Sequence, residues 1–127
     1  MASNKDELKA KGSAARRTPR RVFHRVIGVL MDGEYSPVQA LQISEGGLLF
    51  RATRKFQMQC SIVLSLIIPG GRGIVVRGSV IYQVKAGQSA DFGVKFDALP
   101  IPTKRLIRNY VSAKTQAEAE LESDDFK

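Results

Sequence analysis

Apolar residues come in short runs divided by turn residues, and their spacing changes once, past Pro100 and Pro102. The run Val26-Ile27-Gly28-Val29-Leu30 predicts a first strand over about residues 22–30. Met31-Asp32-Gly33-Glu34 carries the Asp-Gly hairpin signal. A second strand is expected from Val38 to Ile43, broken at Ser44-Glu45-Gly46-Gly47, where paired glycines permit positive φ or a close backbone approach. Leu48-Leu49-Phe50 starts a third strand, and Arg51 to Gln59 reads as a polar connection. Ser61 to Ile68 gives the strongest strand signal and ends at Pro69-Gly70-Gly71. Ile74 to Val84 follows, with a bend expected at Gly78, then a turn at Lys85–Ser89. Phe92-Gly93-Val94-Lys95-Phe96 alternates with period two, as a half-buried strand does. Beyond the prolines, Leu106, Ile107, Tyr110 and Val111 form one helical stripe, with Thr103 as the expected N-cap although Lys104 and Arg105 oppose the helix dipole there. Six short strands and one helix predict an all-β small antiparallel barrel with a C-terminal α-helix on one end or on its wall.

The two ends of the chain change this picture. Residues 1–15 hold almost no large apolar side chains and cannot offset the entropy of ordering, so a flexible basic arm is expected there. Residues 16–112 would form the domain, and 113–127 a helical extension to about Glu120 and an acidic tail. The net charge of +8 is uneven: residues 1–25 carry eight Lys/Arg against two acids, and residues 111–127 carry two against five. A cationic lead-in of this kind points to phosphate-bearing partners, or else to a solvated tail. The single cysteine, Cys60, excludes an internal disulfide and a cysteine metal cage, and is expected as a packed thiol in a cytoplasmic protein. No apolar run reaches the roughly 18 residues of a membrane span, and no secretory signal precedes the domain.

Catalytic chemistry has little to work with. His24 is the one histidine, without a partner for nucleophilic catalysis, and Asp32, Glu34, Glu45, Asp91 and Asp97 show no metal-ligand spacing. The polar groups that cohere are Arg20, Arg21 and Arg25 at the first strand, Gln42 to Gly47 at the second turn, and Tyr82. Guanidinium forks match phosphate oxygens and the O6/N7 edge of guanine. The Ser44 hydroxyl and the amides at Gly46 and Gly47 can donate to phosphate, and Tyr82 can stack on a base. Taken singly, Tyr82 reads as a barrel-wall aromatic and Gly46-Gly47 equally as a plain turn. Taken jointly, the arginines and Ser44 read as a site.

Arg21-Val22-Phe23-His24-Arg25 followed by Gln42-Ile43-Ser44-Glu45-Gly46-Gly47 resembles the PilZ family of cyclic di-GMP receptors, with its RxxxR and [D/N]xSxxG motifs. Phe92–Phe96 is similar to that family's G-x-x-F last strand, and the resemblance covers about residues 16–112. It implies a PilZ-like barrel in which Arg21 and Arg25 grip guanine edges and phosphates and Arg20 stacks or adds charge. Ser44, Gly46 and Gly47 would shape the phosphate-side turn, and Tyr82 would supply a late-strand aromatic. Gln42 stands where the family has Asp or Asn. A neutral acceptor gives up about 1 kcal/mol against a charged one, roughly tenfold in affinity or less.

The resemblance implies a non-enzymatic receptor without a cofactor or metal, which binds cyclic di-GMP and, through ordering of the arm, alters its contact with an effector protein. Two alternatives stay open: a PilZ-like interaction module that has lost the nucleotide, and a small basic barrel binding single-stranded nucleic acid. The latter lacks aromatic side chains interleaved with its charges.

Overall fold

The computed structural model describes residues 19–70 and 72–113; the basic arm and the extension beyond Ala113 lie outside them. Six strands follow in chain order: β1 (Arg20–Met31), β2 (Glu34–Ser44), β3 (Gly47–Ala52), β4 (Ser61–Ile68), β5 (Arg72–Ala86) and β6 (Ser89–Phe96). They close a barrel in the order β1-β2-β3-β6-β5-β4, with every pairing antiparallel. The expected fold class is the one observed.

Alternation builds the interior. Ile62, Leu64, Leu66 and Ile68 of β4 point inward, as do Ala90, Phe92, Val94 and Phe96 of β6. The β1–β2 turn places Asp32 at φ 53° and Gly33 at φ 76°, the paired left-handed residues that match strand twist. Strand β2 starts four residues earlier than the pattern predicts and runs through Pro37. Proline is tolerated because β2 pairs with β3 only from Gln39 onward, so no ladder bond on that side is lost.

One other expectation is corrected. Residues 51–59 are not simply a polar connection: Phe56 turns into the barrel and packs against Phe50 and Phe92, with ring centroids 5.2 and 5.0 Å away. Gly78 lies within an unbroken strand. It faces inward where a Cβ would lie 2.6 Å from the Lys95 carbonyl oxygen, so it lets β6 come close.

The helix α1 (Ile101–Ser112) closes one end of the barrel with Ile107 and Val111. It begins before Thr103, which is therefore not its N-cap: Pro100 takes that place and Pro102 occupies the first turn, where a missing N–H costs nothing. Leu106 and Tyr110 complete the apolar stripe at its edge. Cys60 is half-buried with its Sγ 3.5 Å from Met31 Sδ, and burial, then the Asp32 charge, push its thiol pKa up.

Candidate functional site

The register sets Arg20 directly opposite Ser44, and Val22 opposite Gln42, so the arginine segment and the second turn lie side by side. Side chains alternate along a strand. Gln42, Ser44 and Leu49 therefore share the outer wall, while Ile43, Leu48 and Phe50 fill the interior. Three irregularities gather near this region, between Val22 and Arg25, between Ala40 and Gln42, and between Val80 and Tyr82. Each shifts the phase of a strand and re-aims its side chains.

The outer wall here holds a cleft of about 250 Å³, lined by Arg20, Gln42, Ser44, Gly46, Gly47, Leu49, Ile81 and Lys95 among others. At that volume it suits part of a nucleotide ligand, being a little below the roughly 300–1,000 Å³ usual for small-molecule pockets. Two cations and no carboxylate line it. Among the described residues, no hydrogen bond or ion pair engages the Arg20 guanidinium or the Gln42 amide.

The turn is hydrogen-bonded within itself and to β6. Ser44 Oγ accepts from the Gly46 amide at 3.3 Å and lies 3.4 Å from the Gly47 carbonyl oxygen, to which it donates. The Phe96 amide donates to the Gly46 carbonyl at 2.9 Å. Neither glycine takes positive φ, contrary to one of the two expectations for them. Gly47 serves the other: a Cβ there would overlap the Val94 carbonyl oxygen. Its smallness thus admits the neighbouring strand β6.

Not all the sequence-derived residues come together. Arg21 and Arg25 line a second cleft, with Ile68, Pro69, Leu106, Asn109, Tyr110 and Ala113, on the α1 side. The Arg21 guanidinium carbon lies 4.2 Å from the Tyr110 ring centroid, and its Nη1 donates to the Tyr110 carbonyl at 3.0 Å. Tyr110 Oη donates to the Val22 carbonyl at 3.3 Å, and the ring meets Phe23 edge-on at 5.8 Å. Tyr82 lies outside both clefts. Its ring covers Gly93, which floors the first cleft, so it shapes that floor from the neighbouring strand.

The structure adds residues that sequence reasoning missed. Glu45, inside the second motif, pairs with Arg108 of α1 at 2.8 and 3.0 Å. The Arg108 hydrogen bond, aided by the Arg108 and Lys104 charges, holds the Glu45 carboxyl below its ordinary value against a smaller opposing effect of burial. Nothing local signals a pairing across 63 positions. Lys95 was legible in principle, because alternation over Phe92–Phe96 turns it outward. Ile81 was not, because it sits where the period breaks. Among the described residues, no polar or charged side chain is buried and no cluster of three or more His, Cys, Asp and Glu could hold a metal ion. No helix among them is long and apolar enough to cross a membrane.

A family model described as the PilZ domain matches residues 14–113. No curated protein sequence matches the chain. Among solved structures, the Bacillus subtilis inhibitor of motility (MotI/DgrA) aligns with TM-score 0.69 and 14% identity, covering 76% of this chain and 49% of that one. Escherichia coli YcgR in complex with c-di-GMP aligns with TM-score 0.63 and 14% identity, over 87% of this chain and 50% of that one. The K. pneumonia MrkH–c-di-GMP complex aligns with TM-score 0.63 and 16% identity, over 87% and 55%. The chain thus spans about half the length of these neighbours, and at such identities the likeness is one of fold.

Proposed function

Because this chain belongs to the PilZ domain family, we propose that it is a non-enzymatic receptor for cyclic di-GMP. The observation that carries this reading is the pairing of Arg20 with Ser44, which sets one arginine of the first motif's strand beside the second turn on the rim of one cleft. The YcgR and MrkH neighbours, solved with c-di-GMP, support it.

In this reading, Arg20 and Lys95 meet the ligand's phosphates in the cleft, through charge-assisted hydrogen bonds that exceed neutral ones. The Leu49 and Ile81 side chains give apolar surface for a purine ring, and Gln42 faces its edge. Arg21 and Arg25 approach from the α1 side, so binding competes with the Arg21–Tyr110 contact. The lysines and arginines before Arg20 add field and fold over the di-anion, and the remodelled surface is what an effector protein reads in the cytoplasm. Ser44, Gly46 and Gly47 act through the turn they stiffen, and Tyr82 through the Gly93 floor.

Calorimetric titration of c-di-GMP into the full chain, with a thermal melt, tests the reading. Wild type is expected to give saturable heat and a raised Tm. Arg20→Ala is expected to bind roughly tenfold to a hundredfold more weakly, the worth of a hydrogen bond to a charged group. No heat and no shift in Tm at excess ligand would remove the reading.

A second reading, a protein-interaction module without nucleotide, is favoured by the missing charge at Gln42. It requires that wild type bind no c-di-GMP and that Gln42→Asp create binding from near zero.

A further inference from the structure

The cleft that holds Arg20 is lined by few polar groups. Arg20 and Lys95 are its charged lining residues, Gln42 is its amide, and no carboxylate lines it. Phosphates draw on the two cations. The base edge then falls to Gln42, half-buried on the outer wall between Val22 of β1 and Leu49 of β3.

What that side chain can discriminate follows from its atoms. A carboxylate only accepts, so it favours the adjacent N1–H and N2–H donors of guanine and repels the ring-nitrogen lone pairs of adenine. A carboxamide carries one accepting oxygen and one donating nitrogen. Glutamine pairs bidentately with the N6–H donor and N7 acceptor of adenine. Turned over, the same amide accepts from a guanine donor or donates to O6. No hydrogen bond among the described residues selects either orientation. The apolar walls, Leu49 and Ile81, hold a purine ring without regard to its substituents.

We propose that this cleft accepts cyclic purine dinucleotides carrying adenine as well as guanine, because a Gln42 amide that no hydrogen bond commits to one orientation, rather than a carboxylate, meets the base edge. The proposal rests on the receptor reading above and extends it to the choice of base.

The test is calorimetry of the full chain with three probes, cyclic di-GMP, cyclic di-AMP and the mixed cyclic GMP–AMP, at one fixed salt concentration. Wild type is expected to bind all three within about thirtyfold, less than the discrimination that a well-placed bidentate pair can supply. Gln42→Asp is expected to tighten cyclic di-GMP, weaken cyclic di-AMP and widen their ratio beyond that limit. Gln42→Glu, which keeps the length of the side chain, should act in the same direction and serves if the Asp variant folds poorly. A wild-type preference for cyclic di-GMP above thirtyfold would overturn the proposal. So would a ratio unmoved by a folded carboxylate variant, because Gln42 would then not meet the base. Absence of binding by all three probes would instead remove the receptor reading, and this inference with it.

Discussion

Arg20 and Arg21 are neighbours in the chain but serve opposite sides of β1: Arg20 borders the cleft of the second turn, and Arg21 lies on Tyr110. The two substitutions should therefore differ in kind. Arg20 is exposed, so Arg20→Ala should lower ligand affinity and leave the melting curve in place. Arg21→Ala should lower both, losing a hydrogen bond to the helix carbonyl and a cation–π contact, together about 1–2 kcal/mol. A urea melt beside each titration separates the effects; equal melts for the two variants would contradict the geometry. Gly47 makes the complementary case. Gly47→Ala sets a methyl group against the Val94 carbonyl, and the expected cost of about 1–3 kcal/mol appears in the urea midpoint as a defect of the β3–β6 seam. The Gly-Gly pair in the sequence marks a tight place, but the reason for it, a backbone from residue 94, is not a local property.

At the scale of elements, α1 is tied to both motifs. Arg108 holds Glu45 of the turn, while Tyr110 holds Arg21 and the Val22 carbonyl of the arginine strand. The Glu45 carboxyl is depressed by its Arg108 hydrogen bond, so the sign of its pH dependence is fixed. A depressed carboxylate contributes stability above its unfolded value and loses it as pH falls through the lower folded value. The tie between turn and helix should thus persist through neutral pH and loosen only below the ordinary 4.5. A carbon-detected NMR titration of Glu45 should show a midpoint under that value, moving up in Arg108→Ala. An unchanged midpoint would mean that the pair does not form in solution. The strands and the helix were legible because each rests on local periodicity, and α1's stripe from Leu106 to Val111 faces the barrel as its spacing requires. The position of Phe56 was not. A single aromatic among Arg54, Lys55 and Gln57 has no period, and only the space between Phe50 and Phe92 gives it a place.

For the whole molecule, closure of the barrel depends on a pairing that no run of sequence announces. The β1–β4 seam joins Gly28, Val29 and Leu30 to Ser65, Leu64 and Val63, partners more than thirty positions apart. Alternation told each strand which face to bury, and topology decided that the faces meet as a closed wall around Phe50, Phe56 and Phe92. The cleft lies on the outside of that wall, and the field around it comes from a chain of net charge +8. A dinucleotide bearing two phosphates should be steered by that field, with attraction reaching about 10 Å at 0.1 M salt and about 3 Å at 1 M. If c-di-GMP binds as proposed, raising the salt from about 0.05 to about 0.5 M should slow its association roughly tenfold, whereas dissociation, which the proposed contacts with the cleft's Arg20 and Lys95 would govern, should change much less. Stopped-flow measurement of both rates decides the matter: a salt effect carried mainly by dissociation would place the decisive charges at contact distance and remove long-range steering from the account.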